Sequence, residues 1–147
     1  CEAIGYDDFI LLESDLIFEE QAIVSLMECE QKDIMLCADV TKFQDSYFIE
    51  YDENNLLVNC SVKENELKIC GELVGIHKIS NNFYRKLYEY YSSIKVVKPK
   101  MGYEFAILNL AQNEKPIYVL KIQNLKWYEI DDDADLKYAN EHIVKFL

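Results

Sequence analysis

Glycine and proline are scarce in this chain, four and two respectively among 147 residues. That scarcity excludes collagen-like, linker-like and low-complexity organisation. With half of the residues hydrophobic and 13% aromatic, the chain has a core to bury, and its length fits one domain spanning residues 1–147. Positive charge is also in short supply: 15 basic residues face 27 acidic ones, for a net charge of -12, and the basic residues form no block. Such a balance disfavours duplex nucleic acid and anionic membrane surfaces as partners. No apolar run approaches the roughly 20 residues that span a bilayer, and no charged start leads into an apolar signal region, so a soluble protein is expected, and its cysteines lead us to expect a cytoplasmic one. Five cysteines, Cys1, Cys29, Cys37, Cys60 and Cys70, contain no CxxC pair. They read as reduced, packed thiols rather than a disulfide framework or a zinc site. Cys rather than Met at position 1 leads us to expect a native chain that begins upstream.

What is present alternates in type along the chain. Phe9–Leu12 is continuously apolar and runs into Glu13, Ser14 and Asp15, which reads as a buried strand ending in acidic residues. A helix over 19–28 follows, with Ala22, Ile23, Leu26 and Met27 on one face and Glu19 and Glu20 in its first turn. A second apolar strand over 34–40 completes a βαβ order, which implies a parallel sheet. Residues 47–63 read as a half-exposed hairpin turning at 52–55. A strand around 67–70 leads into Gly71–Ile76, where two glycines suggest turns or close backbone approach rather than a long regular element. Ser80 is placed to cap a helix carrying Phe83, Leu87, Tyr91 and Ile94 before Pro99. A helix over 102–112, a strand over 117–122, an extended segment over 127–131 and a final helix with Leu136, Ala139, Ile143 and Phe146 complete the order.

Two acidic sites stand out. Asp15 sits at the carboxyl end of a strand, the edge on which open α/β sheets place their ligands, although on position alone a turn or capping role is the more ordinary reading. Glu129 and Asp131 are two apart in an extended segment, so both carboxylates point the same way and suit a hard divalent cation. The run Asp131–Asp133 also reads as the N-cap and dipole-compensating first turn of the last helix. His77 and His142 have neither metal-ligand spacing nor a nucleophile beside them and read as ordinary surface or boundary residues. Tyr84, Tyr88 and Tyr91 form a packing stripe rather than a stacking platform for bases.

The runs Asp8–Phe18, Gly71–Ile76, Tyr103–Ile107 and Trp127–Asp131, followed by Asp135, Leu136 and Ala139, resemble in their order the nucleotidyltransferases of the sugar-phosphate and phosphocholine cytidylyltransferase type. The branch transferring CMP to phosphocholine or 2-aminoethylphosphonate is nearest. The resemblance covers nearly the whole chain and implies an α/β fold: a mixed, mainly parallel sheet flanked by helices, of the nucleotide-diphospho-sugar transferase kind. It implies an enzyme that joins an NTP, CTP above all, to a phosphorylated small acceptor and releases pyrophosphate. Asp15 matches the family's strand-end metal aspartate, and Glu129 and Asp131 match its second acidic element. Together they imply a Mg2+ site in which Asp15 and Asp131 are catalytic. The chain departs from the pattern in having Ser14 where the family places Gly, and in having no glycine-rich loop with Arg and Lys to hold the triphosphate. It therefore corresponds to the carboxyl-terminal portion of the catalytic domain, without its first βα units, and is expected not to turn over alone.

For the acceptor, Tyr103, Trp127 and Tyr128 are candidates for an aromatic wall around an ammonium group, or else core residues. Glu72 and Glu104 are candidates to hold the acceptor's cationic end, or else surface carboxylates. A sheet lacking its first units would expose a strand edge, so self-association is expected. The alternative reading is a non-catalytic relic or protein-binding module on the same scaffold.

Overall fold

The computed structural model describes residues 5–42 and 46–147; Cys1 lies outside them. Eight strands and four helices alternate: β1 (Phe9–Leu12), β2 (Leu16–Phe18), α1 (Gln21–Glu28), β3 (Ile34–Ala38), β4 (Phe48–Tyr51), β5 (Leu57–Ser61), β6 (Gly71–Ile79), α2 (Asn81–Ile94), α3 (Tyr103–Asn113), β7 (Tyr118–Ile122), β8 (Trp127–Glu129) and α4 (Asp133–His142). Six strands form one mixed sheet in the order β5-β4-β6-β3-β7, with β1 also paired to β6. The remaining two, β2 and β8, form a separate antiparallel ribbon.

The mixed α/β sheet flanked by helices agrees with expectation, but its ladders are mainly antiparallel. Among the described strands β3 and β7 pair in parallel, whereas β6 runs antiparallel to β1, β3 and β4. The βαβ order is still visible, since β1 and β3 point the same way, with β6 inserted between them. Residues 71–79 thus form a long central strand, where turns were expected. The strand expected around 67–70 is absent; a 3-10 turn (Glu64–Glu66) precedes β6 instead. Close backbone approach at the two glycines is present. A Cβ on Gly71 would collide with the Ala38 carbonyl and Cys37 Sγ, and one on Gly75 with the Glu13 carboxylate.

β3 shows why a continuous apolar run was needed. Met35 and Cys37 join a core with Phe83 of α2 and Ile107 and Leu110 of α3, while Ile34, Leu36 and Ala38 join Ala22 and Leu26 of α1, Leu125 and Trp127 on the opposite face. A strand covered on both sides has no polar side to alternate with. The described cysteines are all free thiols, and burial pushes Cys37 and Cys60 up to about 12.

The helix ends follow the capping chemistry. Ser80 Oγ accepts from Phe83 N and starts α2, as expected. Asp132 caps α4 by accepting from Ala134 N and Asp135 N, which leaves Asp131 outside the helix. α1 begins two residues later than expected because the Glu19 amide instead donates to the Lys126 carbonyl while the Glu19 carboxylate accepts from the Lys126 amide, extending the ribbon. No helix among the described residues is long and apolar enough to cross a membrane.

Candidate functional site

The ribbon brings the two acidic elements together. β2 pairs Leu16 with Glu129, and beyond that pair Ile130 N donates to the Asp15 carbonyl at 2.9 Å. Carboxylate oxygens of Glu13, Asp15 and Glu129 consequently lie within 4.8 Å of one another. This is the donor set that a hard divalent cation takes. Asp15 is exposed and the other two are half-buried, leaving room for water to complete a coordination shell.

Charge crowding is visible in Glu129, whose carboxyl is pushed up to about 7, first by burial and then by the neighbouring Asp131, with Lys42 opposing and Glu13 and Asp15 adding. Asp131 itself is engaged elsewhere. Its carboxylate holds Lys42 Nζ at 2.7 Å, with Asp135 at 3.6 Å and Glu129 at 3.9 Å from the same nitrogen. The expected same-side projection of Glu129 and Asp131 is thus seen in their shared lysine, but among the described residues Asp131 does not join the three-carboxylate cluster. Those three carboxylates hold Lys42 protonated by raising its pKa against the opposing effect of its burial.

Glu13 is placed by three contacts. Its amide donates to the Gly75 carbonyl at 3.1 Å, its carboxylate lies where a Gly75 side chain would be, and its Oε1 accepts from the Tyr103 hydroxyl. Gly75 has φ +75°, a conformation costly for any other residue. Sequence reasoning passed over Glu13, although it stands two residues before Asp15 as Glu129 stands before Asp131.

Glu13 and Glu129 also line a small cavity of about 60 Å³ together with Tyr47, Glu72, Glu104 and Trp127. A larger surface hollow of about 310 Å³ is lined by Tyr84, Arg85 and Tyr88 and contains none of these carboxylates. Glu72 is 1% exposed and accepts from Thr41 N, Thr41 Oγ1 and Ser46 Oγ, so it clamps both stems of the segment that carries Lys42. Glu104 is buried at the first turn of α3, and its Oε2 has no hydrogen-bond partner among the described residues. Burial raises its pKa, its own amide opposes this, and Glu13 adds to the rise. Trp127 Nε1 is likewise buried without a partner. One spare acceptor and one spare donor therefore belong to residues that line the same acidic cavity.

The three aromatic candidates do not share a wall. Trp127 and Tyr128 are successive strand residues and face opposite ways. Trp127 enters the core, whereas Tyr128 packs on Tyr138 at 4.7 Å and carries Lys42 Nζ 5.6 Å above its ring. The ammonium group over Tyr128 is thus the chain's own. Tyr103 faces His77, whose Nε2 lies 3.1 Å from its hydroxyl. His77 is fully buried rather than at the surface or boundary, because it sits inside β6. Burial pushes it down to about 3.

No family model matches the chain. Solved structures that resemble it are nucleotidyltransferases. The inositol-1-phosphate CTP transferase of T. maritima aligns with TM-score 0.66 and 16% identity, over 88% of this chain and 51% of that one. The CTP:phosphocholine cytidylyltransferase of Streptococcus pneumoniae aligns with TM-score 0.68 and 12% identity, over 90% and 56%. CMP:2-keto-3-deoxy-manno-octonic acid synthetase, solved with CTP, aligns with TM-score 0.65 and 13% identity, over 99% and 65%. At such identities the likeness establishes the fold, which is that of a nucleotidyltransferase domain. The chain spans from half to two thirds of the length of these structures.

Proposed function

We propose that the chain is the carboxyl-terminal portion of a Mg2+-dependent nucleotidyltransferase, with CTP as the nucleotide and a small phosphorylated acceptor such as phosphocholine, 2-aminoethylphosphonate or a sugar phosphate. The observation that carries the reading is the convergence of Glu13, Asp15 and Glu129 within 4.8 Å, from opposite ends of the chain, at the carboxyl end of β1. In such a transfer an acceptor phosphate oxygen attacks the α-phosphorus, and the bond to the departing pyrophosphate breaks. An ionised phosphate needs alignment more than a strong base. A divalent cation held by these carboxylates would neutralise phosphate charge. Lys42 is the cation nearest the cluster and is placed to meet a phosphoryl oxygen once Asp131 or Asp135 releases it. The acidic cavity with Glu72 and Glu104 suits the cationic end of an acceptor, and the unpartnered Glu104 Oε2 gives such a group an acceptor.

The residues that would cradle the triphosphate belong to chain outside this one, and the 147 residues alone are expected to be inactive. The assay is Mg2+-dependent pyrophosphate release from CTP in the full-length protein, with each acceptor in turn. Asp15→Ala should abolish it. Turnover unchanged by Asp15→Ala and Glu129→Ala would overturn the reading in favour of a non-catalytic binding module. Self-association belongs to the same proposal, since β1 pairs only with β6 among the described strands and Leu12 is 46% exposed. Light scattering that finds only monomer across the micromolar range would remove that part. We place the protein in the cytoplasm, as its free thiols suit.

A further inference from the structure

We infer that Tyr103, directed by the buried His77, is a positioning residue that turns the Glu13 carboxylate toward Asp15 and Glu129. The inference rests on reading those three carboxylates as a cation site.

The proton inventory fixes the direction of the chain. The Tyr103 phenol has one hydrogen to give. That hydrogen goes to Glu13 Oε1, which accepts it. The phenol oxygen is then left to accept, and the neighbour within reach is His77 Nε2 at 3.1 Å. A neutral imidazole has a single N–H, so Nε2 carries it and Nδ1 is bare. Nδ1 is indeed buried with no partner among the described residues.

A fully buried imidazole with one orphaned nitrogen is a poor choice for packing alone, because an apolar side chain would fill the space without an unsatisfied acceptor. Its remaining use is the hydrogen that Nε2 gives to Tyr103. The chain runs from the middle of β6 through the first residue of α3 to the end of β1, and so couples three elements at the carboxylate cluster. Gly75 completes the device by leaving open the space that the Glu13 carboxylate occupies. With one oxygen tied to Tyr103, and no donor among the described residues on the other, Glu13 keeps free ligand capacity.

The test uses terbium, a hard lanthanide that takes oxygen ligands, on the full-length protein. Trp127 is the only tryptophan of these residues and lines the cavity with Glu13 and Glu129. Tryptophan-sensitised emission that Asp15→Asn reduces therefore reports this cluster rather than scattered surface acids. Luminescence lifetimes in light and heavy water count the water molecules on the ion. Tyr103→Phe should weaken terbium binding about 10-fold and add about one bound water, because a released carboxylate is replaced by solvent. Glu13→Gln should do the same, and the double variant should do no more than Glu13→Gln alone.

His77→Gln, which keeps an N–H donor, should bind nearly as wild type, whereas His77→Leu should follow Tyr103→Phe. This pair also covers the case in which Tyr103→Phe folds badly. If Asp15→Asn and Glu13→Gln lose terbium but Tyr103→Phe and His77→Leu leave affinity and water count unchanged, the positioning role is overturned and the cation site stands. If wild-type protein gives no sensitised emission that Asp15→Asn reduces, the cation site falls and the positioning role with it.

Discussion

Two acidic segments with the same spacing end up in opposite electrostatic states. Glu129 and Asp131, with Asp135, surround Lys42 at 2.7–3.9 Å. Glu13 and Asp15 have no lysine, arginine or histidine in ion-pair range among the described residues and are held instead by a phenol, a glycine carbonyl and the ribbon. One segment carries its counter-charge within the chain, and the other is assembled without one. Glu129 belongs to both groups and bears the conflict as a carboxyl pushed up to about 7. An acidic pair in a sequence thus says little about cation binding until the basic side chains around it are placed.

The contrast can be broken from either side, and the largest effect falls on the unneutralised one. If the proposed transfer is right, Asp15→Ala in the full-length protein should lower pyrophosphate release by about 100-fold or more, as loss of a group that organises transferred phosphate does; a steady-state assay decides it. Next comes Gly75→Ala. A side chain at φ +75° displaces the Glu13 carboxylate and strains β6, so denaturant unfolding should show a loss of about 2 kcal/mol together with weakened terbium binding.

On the neutralised side, Lys42→Met removes the counter-charge of three carboxylates. It should cost about 1 kcal/mol of stability at pH 8, measured by urea unfolding, and less in acid where those groups take up protons. The smallest effect tests the shared residue. The Glu129 carboxyl is raised in the folded state, so the folded protein binds more protons than the unfolded one between the ordinary carboxylate range and about 7, and stability falls as pH rises across that window. Glu129→Gln should therefore raise Tm by about 3 °C at pH 8 and leave it unchanged near pH 4.5. His77 works in the opposite sense. Its pKa is lowered on folding, so stability is lost as pH falls from 6.5 toward about 3. The difference between wild type and variant cancels that background.

The parts legible in the sequence are those with a local period or a local cap. Phe9–Leu12, the β4–β5 hairpin, Ser80 before α2, and the bounds of α3 and β7 all agree with the reading within a residue or two. β6 was hidden because its glycines look like breakers when counted by type, yet they are there to let Ala38 and Glu13 come close. The ribbon was hidden for another reason: the extended segment over 127–131 was legible, but β2 is only three residues long and carries no period, so only its pairing with β8 reveals it. Asp15 and Glu129 were legible from their strand ends, and the ribbon brought them together. Glu13, Lys42 and His77 were not legible, since each acquires its meaning from a partner distant in sequence.

The irregular pairing at the centre of the sheet has a further implication. β3 advances from Met35 to Cys37 while β6 retreats from His77 to Leu73, so β6 carries two extra residues around Gly75. A slip of two positions would return every β6 side chain to its proper face, and hydrophobic burial would scarcely register the mistake. It would, however, carry Gly75 away from Glu13 and His77 away from Tyr103. Correct register in this sheet is therefore guarded by the fit of Glu13 and Tyr103 as well as by the close approach of Gly71 to Ala38, and a misregistered fold would scatter the cluster of Glu13, Asp15 and Glu129.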